Sequence, residues 1–340
     1  EKTTFNISAR RTYIDILSQP IIKWYAKQNM GEDASRTTAG YYFYDLNAKF
    51  THKFSEKDKL FLSAYLGDDA ICTKYRTNNN SYAEREMSDW MNLNWDWGNA
   101  IAALRWNHLV TNKLFMNMTA AYTRYRSNMN VGYLSESTDK SVTPPKTETE
   151  EFKVGYRSGI EDYSLKADFD YSPNTSQDIK FGTNYTYHTF RPDVSTFYFS
   201  NNNNNQSQKL DTVIGKGNIY AHETMTYLED NITLSERFKV NAGIHFSTFN
   251  VQQKNYLSLE PRLGFRASIT DNLSLKAGYA HMNQYIHLLS NNSISMPTDL
   301  WVPATQLIDP MKSDQYAFGI FYNLKNQLDL SLEGYYKSMN

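Results

Sequence analysis

One cysteine, no long apolar run and no excess of either charge characterise this 340-residue sequence, and each shortage removes a class of protein. Cys72 alone cannot form an internal disulfide or a multi-cysteine metal site, and no nucleophile signature surrounds it. No stretch of about 18 apolar residues occurs, which excludes transmembrane helices, and the opening residues EKTTFNISARR lack the hydrophobic core of a signal peptide. A formal net charge of -1 leaves no dominant basic surface for nucleic acid. G-x-S-x-G, H-E-x-x-H, Walker A and dinucleotide-binding fingerprints are absent, so no motif argues for an enzyme. None of these shortages touches a membrane β-barrel, whose strands need no continuous apolar run.

What the sequence has in quantity is aromatic side chains and alternation. Aromatics make up 15% of the chain, with 26 tyrosines, a composition that leans towards β-structure. Period-2 patterns recur after short polar turns: Leu60, Leu62, Ala64, Leu66 after SEKDK; Leu114, Met116, Met118, Ala120 after VTNK; Ile179, Phe181, Thr183, Tyr185 after SPNTSQD. The same design follows LSER, ITDN and LKNQ, giving six hairpins. Matching strands enter those turns, and with the opening strand carrying Phe5, Ile7 and Ala9 the count is about thirteen strands of about ten residues, the length that crosses a membrane at a tilt. The connections at the other end are long, over 18–39, 70–90, 129–150, 191–215 and 287–312, and include NNNSY, TPPKTETEE and SNNNNNQSQ. Those compositions solvate well and cannot build a packed core.

A soluble sandwich also alternates, but it carries Greek-key crossings and mixed loops at both ends. Tight turns at every second connection favour an all-β, up-and-down antiparallel barrel. The polar face of the same strands holds Lys49, Lys53, Arg105, Lys166, Asp168, Asp170, Lys180, Lys239, Arg262, Arg266, Lys276, Asp329 and Glu333; these would line a wet interior or face a folded plug while the apolar face meets lipid. Aromatics gather where strands leave the apolar band, at GYYFYDL, NWDWGN, NYTYHTF, STFYFS and EGYYKS, as interfacial girdles require.

SLEPRLGFRASITDNLSLKAGYAHMNQYIHLLS, followed by PTDLWVPAT and KSDQYAFGIFYN, together with SARRTYIDIL near the start, resembles the barrel of TonB-dependent outer-membrane receptors. The likeness is to the Bacteroidota type whose parent chain carries a carboxypeptidase-regulatory-like N-terminal domain. The resemblance implies a 22-stranded barrel around an N-terminal plug, driven by the inner-membrane TonB, ExbB and ExbD machinery through a TonB box. No plug, TonB box or signal peptide is recognisable, and the pattern stops inside a strand, so residues 1–340 are expected to form one domain that is an internal portion of a longer receptor barrel. The expected role is active uptake of a nutrient (siderophore, vitamin, glycan or peptide) without covalent chemistry or a cofactor. Outer-membrane lipid is the surrounding partner, and a SusD-like surface lipoprotein lid is compatible with this type. A passive porin or an outer-membrane barrel enzyme is the alternative.

Ligand specificity then belongs to the long connections. The candidate ligand contacts are Trp301, Asp299 and Asn291 in the 287–312 segment and Tyr198 and Asn203 in the 191–215 segment. Loop packing competes as an explanation for Trp301, and plain solvation for the asparagines. His281 and His287 invite a metal reading, but His281 shares a phase with Leu275, Ala277 and Tyr279 and so points outward near the aromatic belt. A spacing of six does not bring the two together, and both are expected at the rim. His222 and Glu223 lack the second histidine of a zinc-protease helix and lie in a strand pattern.

Overall fold

Five of the short turns open on a residue whose side chain holds the reversal closed. The Ser55 hydroxyl accepts the N–H groups of Lys57 and Asp58 (both 3.1 Å), Thr111 those of Lys113 and Leu114, Ser235 those of Arg237 and Phe238, and Thr270 those of Asn272 and Leu273. The Asn174 carboxamide does the same for Ser176 N–H at 2.8 Å. A side-chain acceptor two residues upstream replaces the backbone carbonyl and fixes the reversal, which is why SEKDK, VTNK, LSER and ITDN turn.

The computed structural model describes residues 2–30, 37–82, 84–203, 206–215, 217–289, 300–324 and 327–340. Strands β1 (Thr3–Arg11), β2 (Thr38–Lys53), β3 (Asp58–Tyr82), β4 (Arg85–Thr111), β5 (Leu114–Asp139), β6 (Lys146–Asn174), β7 (Gln177–Asn203), β8 (Gln206–Gly215), β9 (Ile219–Thr233), β10 (Phe238–Val251), β11 (Lys254–Ser268), β12 (Leu273–Gln284), β15 (Met311–Leu324) and β16 (Leu328–Met339) make a fourteen-stranded antiparallel sheet. All but β8 lie side by side in chain order, and β8 pairs only with the distal part of β7. This is the expected meander, without crossovers. A separate ribbon pairs β13 (Ile286–Leu289) with β14 (Leu300–Pro303).

Two features depart from the sequence reading. Strands β3 to β7 run 25 to 29 residues, where crossing a bilayer takes about ten. Much of the segments 70–90, 129–150 and 191–215 therefore continues the ladder instead of looping. Asn, Ser and Thr in these stretches lower β propensity, but from β3 to β7 each strand has at least one long neighbour to pair with along its extension, and pairing overrides propensity. The second is α1 (Ile14–Met30), a helix where a connection was expected. It covers the stretch of β2 that the nine-residue β1 is too short to pair: Thr12 N–H reaches the Phe43 carbonyl (2.9 Å), and the Gln19 carboxamide donates to the Ala39 carbonyl at 2.8 Å. Pro20 and the polar Ser18 and Gln19 obscure its period in the sequence.

Register defines two faces. Leu46, Leu62 and Leu104, then Met118, Ala167 and Thr183, share one face across β2 to β7. On this outward face the large apolar side chains are uncovered: Leu165 and Leu263 are each 54% exposed and Phe318 52%. The band ends at tyrosines in register, Tyr122, Tyr163 and Tyr187 on β5 to β7 and Tyr279, Tyr316 and Tyr336 on β12, β15 and β16. The paired rings Tyr122–Tyr163 and Tyr279–Tyr316 lie 5.1 and 5.0 Å apart. All thirteen charged residues assigned to the polar face fall on the opposite, inward face.

Candidate functional site

Beyond the tyrosine belt the alternation changes sign. On β3 to β6 the outward positions now carry Asp68, Lys74, Arg76, Asn92, Asn94, Asp96, Arg124, Arg126, Arg157 and Glu161, whereas the inward positions carry Ile71, Tyr75, Leu93, Trp95, Trp97, Met129, Val131, Tyr156 and Ile160. Below the belt the outward positions are apolar, as a lipid-facing band requires; above it they are polar, and the apolar residues have moved to the inner wall. The wall is ordered by its own contacts: Trp95 and Trp97 pack at 4.5 Å, the Trp95 indole donates to the Ser127 hydroxyl (3.1 Å), and the Tyr133 hydroxyl donates to Asp89 at 3.0 Å. Among the described residues, the inward positions of β3 to β7 between the belt and the tip residues Arg85 and Lys146 include Asp69, Asp89, Glu150 and Asp162 but no Lys or Arg.

Next to this wall the stretches 285–289 and 300–305 fold onto the inner face. Phe190, Ala221, Phe249, Val251, Tyr285 and Ala304 form a fully buried cluster, with Ile160, Ile219, Tyr256, Ile286 and Trp301 packed around it. The Phe249 and Tyr285 rings stack at 5.0 Å, Ala304 N–H donates to the Tyr285 carbonyl (2.7 Å), and the Tyr256 hydroxyl donates to the Thr305 carbonyl at 2.5 Å.

A polar layer underlies the cluster. His188 lies one residue beyond Tyr187 and points inward, with Nδ1 2.8 Å from Asp162 and Nε2 3.1 Å from Glu223. Burial alone would lower the imidazole pKa; hydrogen bonds and charge from Asp162 and Glu223 outweigh it and raise the pKa to about 9. With both ring nitrogens donating to carboxylates, His188 is an imidazolium and has no lone pair for a metal. Ser247 links the neighbouring pair, donating to Glu260 at 2.9 Å and meeting the Tyr285 hydroxyl at 2.8 Å.

The five residues singled out in the sequence do not come together. Trp301 lies on β14 against the buried cluster. Tyr198 lies on β7 but on the outward face, between the ammonium groups of Lys153 (5.2 Å) and Lys209 (5.3 Å). Asn203 is exposed at the end of β7. Asn291 and Asp299 lie outside the described residues. His281 points outward as expected and binds Asp314 at 2.9 Å. His287 is not a solvated rim residue: it is buried on β13, where burial lowers its pKa and its Nε2 has no partner among the described residues. The short HLL pattern gave no sign that the segment folds inward. His222 and Glu223 fall on opposite faces, so they share no site.

The inner wall and His188 escaped the sequence reading. Their signal was phase: continued across the belt, the alternation puts His188 on the side of Thr186 and Phe190, and Trp95 and Trp97 on the side of Ile101.

The family model described as TonB dependent receptor-like, beta-barrel matches residues 23–340. No curated protein matches the chain. Among solved structures, the chain is similar to a chain of the RagAB peptide transporter (10% identity, TM-score 0.48, covering 88% of this chain and 44% of that one). It is also similar to the ferric enterobactin receptor of Pseudomonas aeruginosa (10%, 0.44, 88% and 51%) and to the ferric-catecholate import receptor Fiu of E. coli (10%, 0.48, 89% and 57%). The chain spans about half the length of the solved chains it matches.

Proposed function

The chain belongs to the TonB-dependent receptor β-barrel family, and from that premise we propose that it is the barrel portion of an outer-membrane receptor for active nutrient uptake, with the inner wall above the tyrosine belt as its ligand-contacting surface. The observation that carries this reading is the reversal of polarity at the belt. An aromatic wall facing inward above the belt, half-buried among its neighbours, is apolar surface that a soluble sheet would not retain without something to cover it. Rings such as Trp95, Trp97, Tyr75 and Tyr156 stack on apolar side chains and sugar faces alike. Carboxylates without Lys or Arg on that wall favour a neutral or cationic ligand, such as a glycan or a peptide, over an anionic chelate. Trp301, packed next to the wall, joins the contact surface in this reading, and Tyr198 is left out of it because it faces outward.

Energy for transport comes, on the same premise, from the TonB, ExbB and ExbD complex acting through parts of the receptor outside residues 1–340, and a surface lipoprotein would close the mouth from above. Uptake and binding by the full-length receptor over a nutrient panel test the assignment. Trp95→Ala with Trp97→Ala is expected to weaken binding of the transported nutrient at least about tenfold, worth about 1.4 kcal/mol, while Tyr198→Ala leaves it unchanged. The opposite ranking would move the ligand site to the outward face.

A further inference from the structure

Just above the tyrosine belt, outward cations have carboxylate partners: the Arg126 guanidinium reaches Asp68 at 3.1 Å and Arg191 reaches Glu161 at 2.8 Å. Higher on the same outer surface, two cations of β3 do not. Among the described residues, no carboxylate comes within ion-pairing distance of Lys74 or Arg76. The Arg76 guanidinium lies 4.3 Å from the centre of the Trp90 ring, and its Nε–H is buried with no hydrogen-bond partner among the described residues. A buried donor left unsatisfied is costly, so this position favours an acceptor that arrives from outside.

These side chains line a recess of about 440 Å³ in the outer surface of β3 to β6. One row of the ladder supplies Lys74, Asn92, Gly132 and Lys153, and the next supplies Arg76 beside Trp90. Gly132 is the floor: a Cβ there would lie 2.2 Å from the Asn92 Oδ1, so its absence lets the carboxamide lie flat across β5. Of the three cations only Lys153 has a carboxylate, Glu151 at 2.5 Å. The Trp90 ring is 45% exposed. Gly132 follows Tyr122 of the belt by ten residues, about 33 Å along the strand, far above the level of lipid headgroups.

We propose that this recess binds an acidic glycan, its sugar rings carrying carboxylates, on the outside of the barrel and separately from the nutrient. An exposed indole offers a flat apolar surface to the face of a sugar ring. The Asn92 carboxamide both donates to and accepts from hydroxyls, and the fork of Arg76, with Lys74 beside it, matches a carboxylate. The volume falls within the range of small-molecule sites, about 300–1,000 Å³. The row continues from Gly132 through Lys153 to Tyr198, about 10 Å or two strand spacings away. A glycan chain leaving the recess there meets a second ring, set between the Lys153 and Lys209 ammonium groups. The inner wall has the opposite charge, with carboxylates and no Lys or Arg, so one ligand does not suit both faces. The proposal rests on the outer-membrane reading for the height of the recess above lipid, but not on the identity of the nutrient.

Titration of the full-length receptor with hexagalacturonate, and with neutral maltohexaose as the control, tests the proposal. Hexagalacturonate should bind and maltohexaose should not. Trp90→Ala, Gly132→Val, which fills the floor without touching a charge, and Lys74→Gln combined with Arg76→Gln should each weaken that binding at least about tenfold. Nutrient uptake, compared at equal amounts of receptor in the outer membrane, should stay unchanged in all three. No binding of hexagalacturonate, equal binding of the neutral chain, or variants that bind as the wild type does overturn the proposal. So does loss of uptake in step with glycan binding, which would place both ligands in one site. Once binding is found, polysaccharide released from the same cells is added as competitor: displacement identifies the cell's own surface as the source, and none identifies a glycan from elsewhere. Glycan binding without any nutrient uptake by the wild type overturns the transport assignment and leaves the recess standing.

Discussion

His188 holds Asp162 and Glu223 together only while it is charged. Its pKa of about 9 in the folded chain lies above the ordinary 6.5, so its stabilising contribution is complete below about pH 6.5 and is lost as pH rises through 9. The full-length receptor should lose thermal stability between about pH 7 and pH 10, and His188→Gln, which retains hydrogen bonding without the charge, should flatten that dependence. Identical profiles for the two proteins would show that the imidazolium does not govern it. Gly98 is the other residue whose identity is set by its surroundings. It separates Asp68 from Arg126, whose guanidinium reaches both carboxylate oxygens at 3.1 Å. A Cβ at Gly98 would lie 2.0 Å from an Asp68 oxygen and 2.4 Å from the Gly67 carbonyl oxygen; the carbonyl belongs to the backbone and cannot swing aside. Gly98→Ala should therefore cost about 1–3 kcal/mol in unfolding measurements, whereas Gly243→Ala, whose Cβ would meet nothing nearer than 3.5 Å, should cost less.

The inward-folded ribbon is an element with its own anchor. Phe249 is completely buried and stacks on Tyr285, and removing a buried phenylalanine ring costs about 3–5 kcal/mol. A cysteine replacing His287 should react slowly with an added maleimide in the otherwise wild-type receptor and much faster when combined with Phe249→Ala; equal rates would mean that the ribbon does not depend on this stack. The contrast between ribbon and strands also shows what the sequence could convey. The strands flanking SEKDK, VTNK and ITDN were legible because lipid outside and water inside impose a strict period of two, and because Ser, Thr and Asn mark the turns. The extensions of β3 to β7 were hidden because their outward positions are polar, so NNNSY reads as loop although Asn78, Asn79 and Tyr82 pair across to β4. Helix α1 was hidden by Pro20. Of the candidate site, Trp301 was legible as an aromatic in a polar segment, but the buried cluster it packs against includes Phe190 and Phe249, more than 50 residues away in sequence and brought together only through tertiary folding.

For the whole molecule, the two polarity patterns divide the sheet into a lower zone that is apolar outside and an upper zone that is apolar inside. Substituting one residue in each zone should expose the division. Leu165→Arg, in the outward band, should reduce the amount of receptor assembled in the outer membrane, since Arg in the hydrocarbon costs about 2–4 kcal/mol near the midplane. Ala substitution of Arg157, outward but above the belt, should leave assembly unaffected. Equal assembly of the two variants would contradict the placement of the band. The tyrosine belt also has a bearing on vertical position that neither zone has alone. A shift of two residues along the strands, about 7 Å, would bring Arg124 down to the level that Tyr122 now holds or lift Tyr163 and its neighbours clear of the headgroups. In the proposed membrane barrel the sheet thus carries its own waterline, which resists sinking and rising alike.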